Sequence, residues 1–176
     1  EQVVVLYSRV RIEHGGGRQP KLTFEQRIDV FGSDRESASK LVARTSHDRV
    51  ITDEGADFQS HLDGSRYLLT PERAADIQAR LGSDIAMVLD ECLAFPATHE
   101  ETERSSALTL RWARRARDRH HAPGAPAQAL FGIVQGGSYA DLRARAADET
   151  VALDLDGYAI GGMAVGEPRS AMYELT

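Results

Sequence analysis

The sequence has a single cysteine, Cys92. This excludes an internal disulfide and any cysteine-rich zinc site built within the chain, and it fits a reducing, cytoplasmic setting. Basic charge is also scarce. Lys and Arg number 21 against 27 Asp and Glu, for a net charge of -6. Bulk charge therefore signals no general nucleic-acid binding, and contact with a polyanion requires a local basic patch. No apolar run approaches the ~20 residues that span a bilayer. The short run Val3-Val4-Val5-Leu6-Tyr7 lacks the rest of a signal-peptide pattern, so no membrane role is expected. The six histidines (His14, His47, His61, His99, His120 and His121) show no HxxxH or HExxH spacing. No metal site is expected inside this chain. The glycines form neither a GxGxxG fingerprint nor a P-loop.

What is present is a chain of 176 residues, 41% apolar and 27% charged, with the size and composition of a soluble globular domain. Both ends read as cut. The chain begins at Glu1 rather than Met, and it stops at Thr176, a few residues into a helix expected to begin near Glu167-Pro168. Val3 to Ile12 can form a strand, and Gly15-Gly16-Gly17 breaks any regular element after it. Residues 33–49 are polar and weakly periodic.

From Val50 onward the local signals agree. Thr70 can cap a helix whose first position is Pro71, with Ala74, Ile77, Ala79 and Leu81 as apolar positions and Gly82 as the stop. Ile85-Ala86-Met87-Val88-Leu89 is an apolar run of strand length, as expected for a strand covered on both faces. Thr98-His99-Glu100-Glu101 is a capping box opening a long helix to about Arg119, and Pro123 and Pro126 end it. Leu130 to Val134 predicts a second buried strand. Ser138-Tyr139-Ala140-Asp141 opens a further helix with Leu142, Ala146 and Val151 inward. Gly157 to Ile160 predicts a third strand, and Glu167-Pro168 starts the next helix. Such alternation implies α/β architecture with a parallel sheet and right-handed crossovers. A doubly wound sheet and a TIM barrel both satisfy it. Polar or glycine-rich residues follow all three strands directly (Asp90, Gln135 and Gly161-Gly162), and three consecutive strands feeding one site suit the barrel better. An entire barrel takes ~250 residues, so the expectation is a partial barrel, truncated at both ends.

Several groups can carry chemistry. Asp90 and Glu91 lie on extended backbone and point to opposite sides, which argues against a close acid/base pair. Asp90 can accept two hydrogen bonds from a planar donor edge such as N1–H and the exocyclic amine of guanine; a cap is the plainer alternative. Gln135 offers an acceptor and two donors for a base edge. Gly136-Gly137 and Gly161-Gly162 permit close backbone approach or simply tight turns. Cys92 falls on the side of Asp90, and a lone thiol with no nearby His or Lys in sequence is more often a packing residue. From Arg104 to His121 there are six arginines and one aspartate. They can form a phosphate-contacting face, although complementarity to the helix dipole on a solvated surface accounts for them better. His61, in Ser60-His61-Leu62-Asp63-Gly64-Ser65, fits a turn with a side-chain hydrogen bond.

The run from Thr52 to Ser65 (TDEGADFQSHLDGS), followed by Thr70-Pro71-Glu72-Arg73, resembles bacterial tRNA-guanine transglycosylases, also called queuine tRNA-ribosyltransferases. The match continues in order through Gly82 to Cys92 (GSDIAMVLDEC), Leu110-Arg111-Trp112-Ala113, Phe131 to Gly137 (FGIVQGG) and Asp156 to Pro168 (DGYAIGGMAVGEP). It covers about residues 50–176, which would form part of the (β/α)8 barrel. The resemblance implies a zinc-containing TIM barrel that exchanges the wobble guanine of certain tRNAs for 7-aminomethyl-7-deazaguanine in queuosine biosynthesis. It further implies a cytoplasmic homodimer for the full-length enzyme. By resemblance, Asp90, Gln135 and the backbone at Gly162-Met163 hold the base, and Glu167 supports the backbone at the last contact. Cys92 and Val165 match the bacterial form.

There are departures from the family pattern. The family's Thr-Asp-Ser-Gly-Gly motif is expected just before Val50 and is absent. Residues 1–49 stand as an unmatched segment, aberrant or poorly ordered, as a mispredicted start would give. The nucleophilic aspartate and the zinc ligands (three cysteines and a histidine) are expected beyond Thr176. No catalytic residue is therefore assigned within the chain. Two rivals stand beside this reading: a non-catalytic accessory subunit or binding module of the same fold, and an unrelated barrel hydrolase using Asp90 and Glu91. On the first reading, this chain should incorporate no labelled guanine into tRNA above background. Incorporation would overturn the expectation that the remaining parts are essential.

Overall fold

The computed structural model describes the backbone of residues 8–13 and 21–26, and residues 49–59, 64–124 and 127–176. Gly15-Gly16-Gly17 and His61 lie outside the described residues, as does nearly all of the polar stretch before Arg49. Of the strand expected over Val3 to Ile12, residues 3–7 lie outside the described residues; β1 runs over Ser8–Glu13 and pairs antiparallel with β2 (Lys21–Gln26).

A second sheet is antiparallel, with β3 (Val50–Ile51), β4 (Ala56–Gln59) and β5 (Arg66–Leu69) in that order. Its register sets Phe58 opposite Tyr67, whose rings stack at 6.1 Å between centroids. Such cross-strand pairs are the unit of sheet stability. Helix α1 (Pro71–Leu81) starts as the sequence predicts: the Thr70 side chain accepts from the Arg73 N–H, Pro71 takes the first turn, and Gly82 closes the helix in the left-handed conformation.

The third sheet carries the core. Strands β6 (Ile85–Met87), β7 (Ala129–Val134) and β8 (Gly157–Ile160) are parallel and adjacent in chain order. Helix α2 (His99–His120) crosses from β6 to β7, and α3 (Ala140–Val151) crosses from β7 to β8. A short helix, α4 (Arg169–Leu175), follows. The described strands therefore run in sequence, with no reversal of order among them. The mixed α/β architecture is as expected.

The core joins Ala86 and Val88 to Leu110, Ala113 and Ala116 of α2, with Leu130, Leu153 and Leu155. Leu130 is 1% exposed, and burying a leucine fully contributes roughly 1.5–3 kcal/mol. Helix α2 buries Thr102, Ser105, Thr109, Ala113 and Ala116, a stripe at spacings of three and four. Its capping box is complete: Thr98 Oγ1 accepts from the Glu101 N–H at 3.2 Å, and Glu101 Oε2 accepts from the Thr98 N–H at 2.9 Å.

Two expectations need correction. The strand expected over Ile85 to Leu89 ends at Met87, although the Val88 N–H still donates to Phe131 O at 3.0 Å. Val151, expected inward, is 54% exposed. Thr150 takes the buried position instead, because the stripe of α3 runs Arg143, Ala146, Thr150. Of the six arginines expected on a solvated face of α2, three also pair with acids outside the helix. Arg115 grips Glu72 through two hydrogen bonds, Arg119 pairs with Asp76, and Arg111 pairs with Asp53. They tie α2 to α1 and to the loop before β4. Thr98→Ala removes the cap of the longest described helix and is expected to cost about 1 kcal/mol of stability, measurable as a lower urea midpoint at unchanged slope. An unchanged midpoint would show that the helix start is held otherwise.

Candidate functional site

The parallel register brings the carboxyl ends of β6, β7 and β8 side by side, and the candidate residues follow those ends directly. Asp90 follows β6 after two residues of extended chain, and Gln135 follows β7. The Gln135 side chain is 5% exposed, and its Nε2 donates to Asp90 Oδ2 at 2.5 Å. Asp90 caps no described helix; its carboxylate accepts from its own backbone N–H and meets the neighbouring strand end through Gln135. Burial pushes the Asp90 carboxyl above the usual aspartate range, against the opposing pull of the Gln135 hydrogen bond.

Glu91 turns to the other side, as alternation on extended chain requires. Its backbone is fixed by α2: the N–H donates to Thr109 Oγ1 at 2.9 Å, and the carbonyl accepts from Ser105 Oγ at 2.9 Å. Glu91 borders a broad hollow of about 860 Å³ together with Asp53, Glu101, Glu103, Arg104 and Arg111. Four acids against two arginines make that hollow unsuited to a polyanion.

The strand end of β8 closes on Gln135. Gly162 is buried with φ 68°, and a Cβ placed there would sit 2.9 Å from Gln135 Oε1. Both conditions call for glycine. The Gly162 N–H has no hydrogen-bond partner among the described residues. It borders a smaller cavity of about 360 Å³, lined also by Gln135, Gly136, Gly137, Tyr139 and Val165. A buried backbone donor without a partner is uncommon and invites an acceptor.

After Gly162 the chain turns sharply. Ala164 takes φ 61°, a costly conformation for a residue with a side chain. Glu167 holds it there: Oε1 accepts from the Ala164 N–H at 2.5 Å, and Oε2 accepts from the Val165 N–H at 2.9 Å. Burial acts to raise the Glu167 carboxyl, but the main-chain N–H groups from Ala164 to Glu167 outweigh it and hold it below its ordinary value. Met163, half-buried, lies between this turn and Gly162.

The structure thus joins Asp90, Gln135 and Gly162 at the ends of three strands, with Glu167 fixing the following turn. Of the expected site residues Gln135 and Gly162 line the smaller cavity, whereas Asp90, Cys92, Met163 and Glu167 do not; Asp90 meets it only through its hydrogen bond from Gln135, and Cys92 Sγ lies 4.0 Å from Leu93 O. No group of three His, Cys, Asp or Glu among the described residues stands close enough to hold a metal. The sequence reading missed Arg143, 7% exposed, which donates to Gly161 O at 3.0 Å and to Leu175 O at 3.0 Å. The signal was its place, three residues before Ala146 and seven before Thr150, on the buried stripe of α3.

Comparison with known proteins agrees with this frame. The family profile described as queuine tRNA-ribosyltransferase matches residues 33–176, which reaches further toward the amino end than the motifs from Val50 onward. Among curated relatives, a queuine tRNA-ribosyltransferase from Desulfosudis oleivorans is 59% identical over 154 residues, covering 87% of this chain and 37% of its own length. That of Nitratidesulfovibrio vulgaris is 51% identical over 163 residues, 93% of this chain and 40% of its own. That of Caldanaerobacter subterraneus is 45% identical over 166 residues, 93% and 42% respectively. The chain spans about two fifths of the length of these relatives.

The burial of Asp90 has a consequence for stability. Its folded pKa lies above the unfolded value, so its contribution falls as pH rises from the ordinary carboxylate range through the raised value. Asp90→Asn keeps an acceptor for Gln135 without the buried charge. The variant is expected to melt higher than wild type at about pH 7, with the difference shrinking toward about pH 4. A difference that does not change with pH would contradict this.

Proposed function

Since the chain belongs to the queuine tRNA-ribosyltransferase family, we propose that it supplies the base-recognition part of a tRNA-guanine transglycosylase. The full enzyme exchanges wobble guanine in tRNA for 7-aminomethyl-7-deazaguanine, a step toward queuosine. The observation that carries the reading is the Gln135 to Asp90 hydrogen bond, set beside the unpartnered Gly162 N–H at the ends of adjacent strands.

These three groups present what one edge of guanine needs. Asp90 accepts from N1–H and the exocyclic amine, and the Gly162 N–H donates to the ring carbonyl. Gln135 serves twice, orienting Asp90 in the empty site and offering its amide to the base. The Met163 backbone adds to the last contact, and Glu167 keeps the turn beside it in place. Cys92 and Val165 suit the small aminomethyl substituent of the bacterial substrate. A buried carboxylate discriminates strongly, because a ligand lacking the matching donors leaves its remaining acceptor sites unpaired.

In the family reading, a carboxylate attacks the ribose carbon, and the incoming base then displaces the enzyme from a covalent tRNA intermediate. No described residue is assigned as that nucleophile, and no group of three His, Cys, Asp or Glu among the described residues stands together to hold the family's zinc. We place these residues in a (β/α)8 barrel, a reading supported by three sequential parallel strands whose candidate groups all lie at the carboxyl ends. The full-length enzyme is proposed to act as a cytoplasmic homodimer. No helix among the described residues is long and apolar enough to cross a membrane.

Calorimetry with guanine tests the proposal. The chain should bind guanine, and Asp90→Asn should weaken binding at least about tenfold, since the amide turns a donor toward the exocyclic amine. Equal binding by the variant would sink this assignment and favour a hydrolase of another kind.

A further inference from the structure

Arg143 is a buried cation without an ion-pair partner among the described residues. Its guanidinium is spent on main-chain carbonyls: Nη1 donates to Gly161 O at 3.0 Å and reaches Gly137 O at 3.5 Å, and Nε donates to Leu175 O at 3.0 Å. Burial lowers its pKa, and the charge of Glu167 opposes that shift. Burying a guanidinium without a carboxylate is costly, and a purely structural tie between loops needs no charge. The carbonyl its Nη1 grips belongs to a particular peptide unit: Gly161 O and the unpartnered Gly162 N–H are its two ends.

We propose that Arg143 is a positioning residue for ligand capture, fixing the plane of the Gly161–Gly162 peptide and polarising it so that the Gly162 N–H binds a carbonyl oxygen. A cationic donor at one end of an amide strengthens the donor at the other, because hydrogen bonds in a chain polarise one another. Gly136 lets the first turn of α3 approach closely enough for this. It takes φ 120°, and a Cβ there would lie 2.6 Å from the Arg143 backbone nitrogen. The same side chain thus bridges the ends of β7 and β8, under the groups that face the base. The inference rests on the base-site reading above and adds that the site's carbonyl specificity is set from α3.

The test compares guanine with 6-thioguanine, which keeps N1–H and the exocyclic amine but replaces the ring oxygen with a weakly accepting sulfur. Titration calorimetry is run on the chain and on Arg143→Lys and Arg143→Gln, with folding checked by circular dichroism. Both variants are expected to weaken guanine about tenfold and 6-thioguanine less than about threefold. A variant that weakens both bases equally overturns the proposal, since a loop tie alone acts on both. If the wild-type chain binds neither base, the base-site reading fails and the Arg143 assignment fails with it. Should both variants unfold, amide NMR of the wild-type chain decides. Saturation with guanine should move the Gly162 amide proton downfield by more than saturation with 6-thioguanine does. A Gly162 amide unmoved by guanine overturns the proposal.

Discussion

A carboxylate held out of water must be paired, and at the end of β6 the partner is the side chain of the next strand. The Gln135 to Asp90 hydrogen bond is possible only because β6 and β7 are parallel neighbours, with Met87 opposite Phe131. A shift of one residue would turn Asp90 to the side now taken by Glu91. The site therefore depends on register, and register depends on the core packed beneath it. Ala86 and Leu130 are opposite one another and both fully buried. Their burial under α2 sets which of the next residues turns toward Gln135.

The pairing does not remove the cost of burial, since the Asp90 carboxyl stays above its usual range. A chain optimised only for stability would carry an amide or an apolar residue there. Keeping the charge makes sense if a ligand completes its hydrogen bonds, and the unpartnered N–H of Gly162 at the same end of the sheet has the same character. The Asp90 carboxylate can accept donors beyond Gln135, and the Gly162 N–H lacks an acceptor. Their opposite needs match the two kinds of group on one edge of guanine. The turn at Ala164 adds a third cost, a left-handed backbone at a non-glycine residue, offset by two hydrogen bonds to Glu167.

Much of this was legible in the sequence where the signal is local. Thr70-Pro71, the Thr98 to Glu101 box and the apolar runs at Ile85 and Leu130 act through neighbours within four residues, and each element appeared where its signal lay. Asp90, Gln135 and Gly162 could be named because strand ends are marked by a change from apolar to polar or glycine. Their convergence was expected from three strands feeding one site and from the resemblance, but the direct Gln135 to Asp90 hydrogen bond could not be read, since it depends on strand register across the α2 crossover. Val151 misled for a related reason: its side chain is apolar, but the helix phase set by Leu142 and Ala146 leaves it outside. The acid partners of Arg111, Arg115 and Arg119, namely Asp53, Glu72 and Asp76, could not be read because they lie far away in the chain.

What escaped most completely was the support behind the site, and the reason is general. Apolar periodicity finds the face a helix turns to its core, but the residues holding the strand ends are polar and sit on that same face. Ser105 and Thr109 of α2 grip the backbone of Glu91, just after the strand that precedes their helix. Arg143 of α3 grips Gly137, after its own preceding strand, and Gly161, after the strand that follows. Each crossover helix thus steadies the loop from which it departs, and α3 extends the hold to its neighbour. In a sheet of sequential parallel strands this arrangement links every contributor to one site through the adjacent helix. A buried polar residue on the core stripe of such a helix is therefore a place to look for control of the loop above it.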